Sequence, residues 1–280
     1  MSRRAPGAVS GHPSPWLRRT IIVAICGVFL VPIASMLWFT FRLQGSGIGL
    51  DHWVDLFNPE NARAYRNLAT GIVNSLVLAA VTIAMLWILF LPTIVLVHLQ
   101  FPRLARWFEL LSILPIAIPA IVLVVGFAPI YRVVVQVFGG GIWTLAFAYG
   151  VLVLPFAYRA ISADLQGMNA ATLAEAARTL GASWPTVLTR IIAPGLRAGL
   201  SSATLITAAV VLGEFTVSSL LNRVTMQVAL VEVSKSDPYA AVITSLLSLV
   251  LVFVLLFVFA SMHSRRGQRS QKPMEATTHD

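Results

Sequence analysis

The sequence predicts an all-α integral membrane protein with six spanning helices and an ordered two-helix loop between the fourth and the fifth. Three observations carry this. The 280-residue chain is 58% hydrophobic and 11% charged with a mean hydropathy of +0.83, more apolar surface than a water-soluble domain can bury. The apolar residues gather into six runs of spanning length, about 20 residues each. The basic residues stand at the ends of those runs. Net charge of +9 and a pI near 10.8 therefore do not point to nucleic acid, because no basic patch is interleaved with aromatics. In lipid each segment has to satisfy its own backbone N–H and C=O groups, which makes the runs helices.

Residues 1–19, with four arginines and three prolines, read as a basic tail. The run at 20–42 is long enough to span and is followed by no small-x-small cleavage site, so it is expected to be a retained first span. The connection from Arg42 to Leu68 places Trp53 and Phe57 four residues apart, as in a short interfacial helix. Gly45, Gly47 and Gly49 there read as a flexible turn, since no Gly-Lys-Ser/Thr follows them as in a phosphate loop. The second span, 70–97, contains Asn74-Ser75. The third, 108–131, holds Pro115, Pro119, Gly126 and Pro129 and should be a bent helix packed inside. The fourth is 141–161. The fifth, 199–221, has Gly199, Ser201, Ser202, Ala203, Ala208 and Ala209, small enough for close helix approach over its first half. A mixed-charge connection, Asn222 to Pro238, is expected to be solvated. The sixth span, 239–262, leads into a polar basic tail at 263–280.

Six spans put both termini on one side. Fourteen of the twenty Lys and Arg residues fall on that side, including Arg3, Arg4, Arg178, Arg190, Arg265 and Lys272, and six on the other. The positive-inside rule places both termini and the 162–198 loop in the cytoplasm.

That loop is too patterned for a plain connector. Thr172 followed by Glu175 reads as a capping box starting a helix, with Leu173, Ala176, Ala177 and Leu180 on one side and Gly181 as its left-handed stop. Ser183 with Pro185 behind it reads as a second N-terminus. Trp184, Val187, Leu188 and Ile191 form its apolar stripe, and Pro194 is expected to end it. The spacing Glu175-Ala176-Ala177, three residues, Gly181, nine residues, Ile191, then Pro194 resembles the cytoplasmic loop of binding-protein-dependent ABC transporter permeases. Ala193 departs from it, standing where that family usually has Leu. The Asn74-Ser75-Leu76 and 114–120 stretches resemble the same family.

The resemblance implies a bacterial inner-membrane permease subunit of an importer. Its loop, through Glu175, Ala176, Ala177, Gly181, Trp184, Ile191 and Pro194, would couple to an ATPase dimer. A second permease subunit, identical or similar, would complete the path, and an extracytoplasmic solute-binding protein would deliver the solute. No cofactor is expected on this chain, with ATP and Mg held by the partner ATPase. The stretch VLGEFTVSSLL at 211–221 looks like permeases of the polyamine, iron and related group, so the expected solute is small and polar, such as a polyamine. Iron, another inorganic ion or a sugar is the alternative.

Clear of the span ends, Glu214 is the one charged residue inside the six runs. Counted along the fifth helix it stands roughly 24 Å up a core about 30 Å thick. An acid there is costly in lipid and should face protein or water. Glu214, Phe215 and Thr216 are expected to line the translocation path near its outer mouth; the competing reading is a carboxylate hydrogen-bonded to neighbouring Ser or Thr that holds helices together. A single cysteine, Cys26, and five scattered histidines, His12, His52, His98, His263 and His279, suggest no metal or disulfide chemistry. An enzyme is disfavoured because neither HExxH nor GxSxG is present. An ATP-independent secondary transporter is the rival from another class, disfavoured by the scarcity of intramembrane ionisable residues.

Overall fold

The computed structural model describes residues 15–43, 47–63 and 65–269. The ends of both predicted tails and Gly45 lie outside them. Among the described residues the protein is helical, with one isolated bridge between Arg42 and Ile48.

Helix α1 (Pro15–Phe41) is followed by the short α2 (Asp51–Phe57) and then by α3, a 35-residue rod (Arg66–Gln100). A break at Phe101 starts α4 (Pro102–Ala117), and Ile118-Pro119 separates α4 from α5 (Ala120–Phe138). After a 3-10 turn come α6 (Ala146–Gly167) and the two loop helices α7 (Ala170–Thr179) and α8 (Trp184–Gly195). The chain re-enters the bundle as α9 (Arg197–Gly213), breaks at Glu214, and continues as α10 (Thr216–Leu220), α11 (Met226–Ser236) and α12 (Pro238–Arg269).

Helix α6 is the spine. Tyr149, Val153, Ala157, Ile161 and Leu165 are fully buried, one every four residues, as a single helix face requires. Antiparallel α9 answers with its own four-residue steps, Gly199, Ala203, Thr207 and Val211, all buried. Helix α3 closes the group through Ser75, Leu78, Ala79, Thr82 and Leu86. At the loop end of the bundle, Ile161 and Leu165 share one apolar core with Ala170, Ala174, Val187 and Ile192 of the loop. The loop is thus part of the packed protein.

Two turns widen to π geometry, Leu86–Phe90 and Val187–Ile192. Each sits just ahead of a proline, Pro92 and Pro194. A helical proline has no N–H to donate and crowds the carbonyl four residues back, and a wider turn relieves both.

Four described helices are long and apolar enough to cross a membrane, the pair α8 and α9, bent by 76°, passes together as a fifth, and the described part of the sixth run, Pro238–Val254, is a shorter apolar helix. Several expectations change. The expected third span is two helices, because Pro119 forces Ile118 into extended backbone (φ −95°, ψ 128°). Its second half is not packed inside: Leu123, Val124 and Tyr131 are buried, whereas Ile121, Val122, Val125, Ile130, Val133 and Val137 point out. The 222–238 connection is no solvated loop. It contains α11, which buries Met226, Ala229, Leu230 and Val233 against α3 and α12. Asp237 then starts α12, accepting the Ala240 N–H at 3.0 Å and the Tyr65 hydroxyl at 2.7 Å. Helix α2 carries Trp53 and Phe57 as expected, Phe57 exposed and the Trp53 indole donating to Thr40 at 3.1 Å.

Candidate functional site

The loop begins where Asn169, in left-handed conformation (φ 50°), turns the chain out of α6; Asn is one of the few residues that tolerate it. Asn169 is the N-cap of α7, three residues ahead of the expected Thr172, and no side-chain cap forms. The expected capping box is therefore absent, since Thr172 and Glu175 already lie inside the helix. The buried face of α7 is Ala170, Ala174 and Ala177, whose small side chains let the helix lie close on α8 and the end of α3. The expected apolar side is divided: Ala177 faces in, while Leu173, Ala176 and Leu180 face out, Leu180 88% exposed.

Gly181 ends α7 as the pattern requires. Its φ is +88°, its N–H donates to Arg178 O, and the Ala182 N–H reaches back to Ala177 O at 3.0 Å, which is a Schellman stop. Ser183 is the extended residue before α8, with Trp184 and Pro185 in its first turn. Val187 is buried and Trp184, Leu188 and Ile191 are half-buried, and the π turn adds Ile192 to that face. Pro194 does not end the helix. It rides in the last turn of α8, and the bend comes at Leu196. Glu175, Ala176, Gly181 and Pro194 are exposed around the rim of the loop.

The base of the loop is closed. The Gly199 N–H at the start of α9 donates to Asp164 Oδ2 in the last turn of α6. A Cβ on Gly199 would overlap the Ala160 carbonyl oxygen, so the two backbones touch there.

Glu214 stands at the other end of α9. It is not inside a helix: Gly213 is the last helical residue and Glu214 is extended (φ −85°, ψ 131°). Its carboxylate accepts the Val217 N–H through both oxygens, at 2.9 and 3.0 Å, which caps α10. It also accepts the hydroxyl of the buried Tyr149 at 2.8 Å. Ser218 and Thr225 extend the network, the Thr225 hydroxyl donating to Ser218 Oγ at 2.9 Å. The helix-holding reading thus gains a phenol and a backbone amide as its partners, where Ser or Thr were expected. Phe215 is 39% exposed and Thr216 half-buried at the same break. Arg223 closes the neighbouring turn, donating to Gly140 O at 2.7 Å with its guanidinium over Tyr131.

Sequence reasoning passed over Asp164 and Tyr149. A signal existed for each: an acid one turn before a loop, and a tyrosine on the four-residue stripe of an apolar helix.

The chain is similar to a probable ABC transporter permease protein of Sinorhizobium fredii, 28% identical over 275 residues, an alignment covering 90% of this chain. The chain spans about half the length of that relative, 47%. Residues 98–268, which run from the end of α3 through the loop, the break and α12, match the family described as the binding-protein-dependent transport system inner membrane component. With an all-helical apolar bundle and an ordered loop already in place, this match shows that the chain belongs to that family, the inner-membrane permeases of binding-protein-dependent ABC transporters.

Proposed function

We propose that the chain is the membrane subunit of an ATP-driven importer, that both termini and the 162–198 loop are cytoplasmic, and that the loop docks a partner ATPase dimer on which ATP is hydrolysed. One observation carries the docking: Leu173, Ala176 and Leu180 form an outward apolar ridge on a helix whose other face is locked into the core. Apolar side chains projecting from a loop into water are costly unless something covers them. Glu175, exposed beside that ridge, and Gly181, Trp184, Ile191 and Pro194, which set the shape of the loop, complete the dock. A second permease subunit and an extracytoplasmic solute-binding protein complete the importer.

The path runs past the α9–α10 break, where Glu214, Phe215 and Thr216 are partly exposed. Neither partner of the Glu214 carboxylate, a phenol and a backbone N–H, neutralises its charge. A carboxylate whose described partners are neutral suits a small cationic solute such as a polyamine better than an anion.

The test is co-purification of the full chain with candidate ATPases, followed by spermidine uptake into proteoliposomes holding the complete complex. ATPase association that Glu175→Arg and Leu180→Glu weaken, together with ATP-dependent uptake, supports the reading. Uptake that persists without ATP or an ATPase turns it towards a secondary transporter.

A further inference from the structure

We propose that Asp164 is a positioning residue for transport: by clasping the base of the loop to α9 it makes α6 and α9 one beam, which carries displacement of the loop to the break at Glu214. This rests on the reading of the loop as an ATPase dock.

Side-chain bonds tie α6 to both ends of α9. Asp164 accepts the Gly199 N–H at one end, and Tyr149 donates to Glu214 at the other. Along α6 the two are 15 residues apart (164 − 149), and along α9 they are also 15 apart (214 − 199). At about 1.5 Å per helical residue the clasps are roughly 22 Å apart on both helices. Equal spacing keeps the antiparallel pair in one register from end to end. Between the clasps the buried four-residue stripes of the two helices interlock, so α9 cannot slide or roll on α6 unless a clasp breaks.

The Asp164 clasp has the stricter geometry. The Gly199 N–H is a first-turn donor of α9 with no partner inside its own helix, and a carboxylate at that position is favoured by the helix dipole. Backbone meets backbone, because Gly199 has no Cβ to hold α9 away from Ala160. The bond closes a 35-residue excursion (199 − 164). Without it, the loop would pivot at Asn169 and Leu196, where the backbone already leaves helical geometry. With it, a push on α7 or α8 has to turn α6 and α9 together. At the far end the displaced group is Glu214, which caps α10.

The experiment uses the full chain with its ATPase in proteoliposomes, reading deuterium exchange of the 197–203 segment and spermidine taken up per ATP hydrolysed. For Asp164→Ala we expect ATPase association to persist, exchange to rise and uptake per ATP to fall, each about tenfold, the effect of losing a hydrogen bond to a charged acceptor. Asp164→Asn, whose amide oxygen still accepts, should restore both to within about twofold. Tyr149→Phe should uncouple similarly, and the double variant should be little worse than either single, as expected for two links in series. Unchanged exchange in Asp164→Ala, or unchanged uptake per ATP, overturns the proposal. If Asp164→Ala does not accumulate in the membrane, Asp164→Ser, too short to reach Gly199, is read in the same way. If wild type binds no ATPase, the docking reading fails, and the clasp stands or falls on the exchange measurement.

Discussion

Arg178 lies over the indole of Trp184, 5.5 Å from the ring centroid, and donates to the Ala182 carbonyl at 2.9 Å. One side chain from the end of α7 thus stacks on the first residue of α8 and bonds the turn between them. Gly181, in the turn this bridge spans, has φ +88° and no atom beyond its chain neighbours within 4 Å of where a Cβ would go, so a substitution there is penalised by backbone strain alone. Gly181→Ala should cost about 1–2 kcal/mol of local stability and Gly181→Asn less, whereas Gly181→Pro, which cannot adopt positive φ, should abolish the turn. Deuterium exchange across 176–186 reads the order Asn, Ala, Pro.

The outward ridge of α7 gives a cleaner test of docking than the turn, because it contributes little to the core. Burying a leucine against a partner is worth about 1.5–3 kcal/mol. Leu180→Glu should therefore weaken ATPase association at least about tenfold and leave the melting temperature of the isolated chain unchanged. Ala174→Leu, on the buried face, should do the reverse, lowering the melting temperature by overpacking. Equal melting losses in the two variants would remove the distinction between the faces.

At the break, charge and hydrogen bonding can be separated. Glu214→Gln keeps an oxygen for Tyr149 and Val217 but removes the negative charge. If that charge selects the solute, spermidine uptake should fall about tenfold, as for an ion pair partly withdrawn from water, while melting and ATP hydrolysis hold. Tyr149→Phe does the opposite, keeping the charge and leaving the carboxylate one donor short. Its cost should be about 1–3 kcal/mol in stability, read by thermal unfolding in detergent.

The corner between α3 and α12 responds to alkali. Burial, then the hydrogen bond to Asp237, its charge and that of Asp55 push the Tyr65 hydroxyl up to about 12 from an ordinary value of 10.0. A phenol whose pKa is raised on folding stabilises the fold fully below pH 10, and that contribution is lost as pH rises through 12. Tyr65→Phe should lower stability at neutral pH and flatten the loss between pH 10 and 12. Absorbance of tyrosinate, compared between wild type and variant, locates the titration.

Much of the fold was legible because it depends on local chemistry. Apolar runs give helices in lipid whatever their neighbours do, and Gly181 marks a stop because a left-handed residue is needed wherever a Schellman turn forms. Thr172 and Glu175 misled for a related reason. A capping box is a local preference, and the packing of Ala170, Ala174 and Ala177 against α8 set the start of α7 three residues earlier. Leu173 and Leu180 misled because an apolar side chain signals burial without saying whether a core or a partner provides it.

By itself the sequence determined the all-helical membrane character, the ordered loop with its glycine turn, and an acid near the end of the fifth run. Those follow from composition, period and backbone conformational limits, all short-range. Only the tertiary structure decided that the acid sits at a helix break capping α10, that Tyr149 meets it, and that Asp164 meets Gly199. The two pairs that cross from α6, Asp164 with Gly199 and Tyr149 with Glu214, join residues 35 and 65 apart in sequence. Their meeting is fixed by the register of α6 on α9, a property of two packed surfaces that neither helix carries alone.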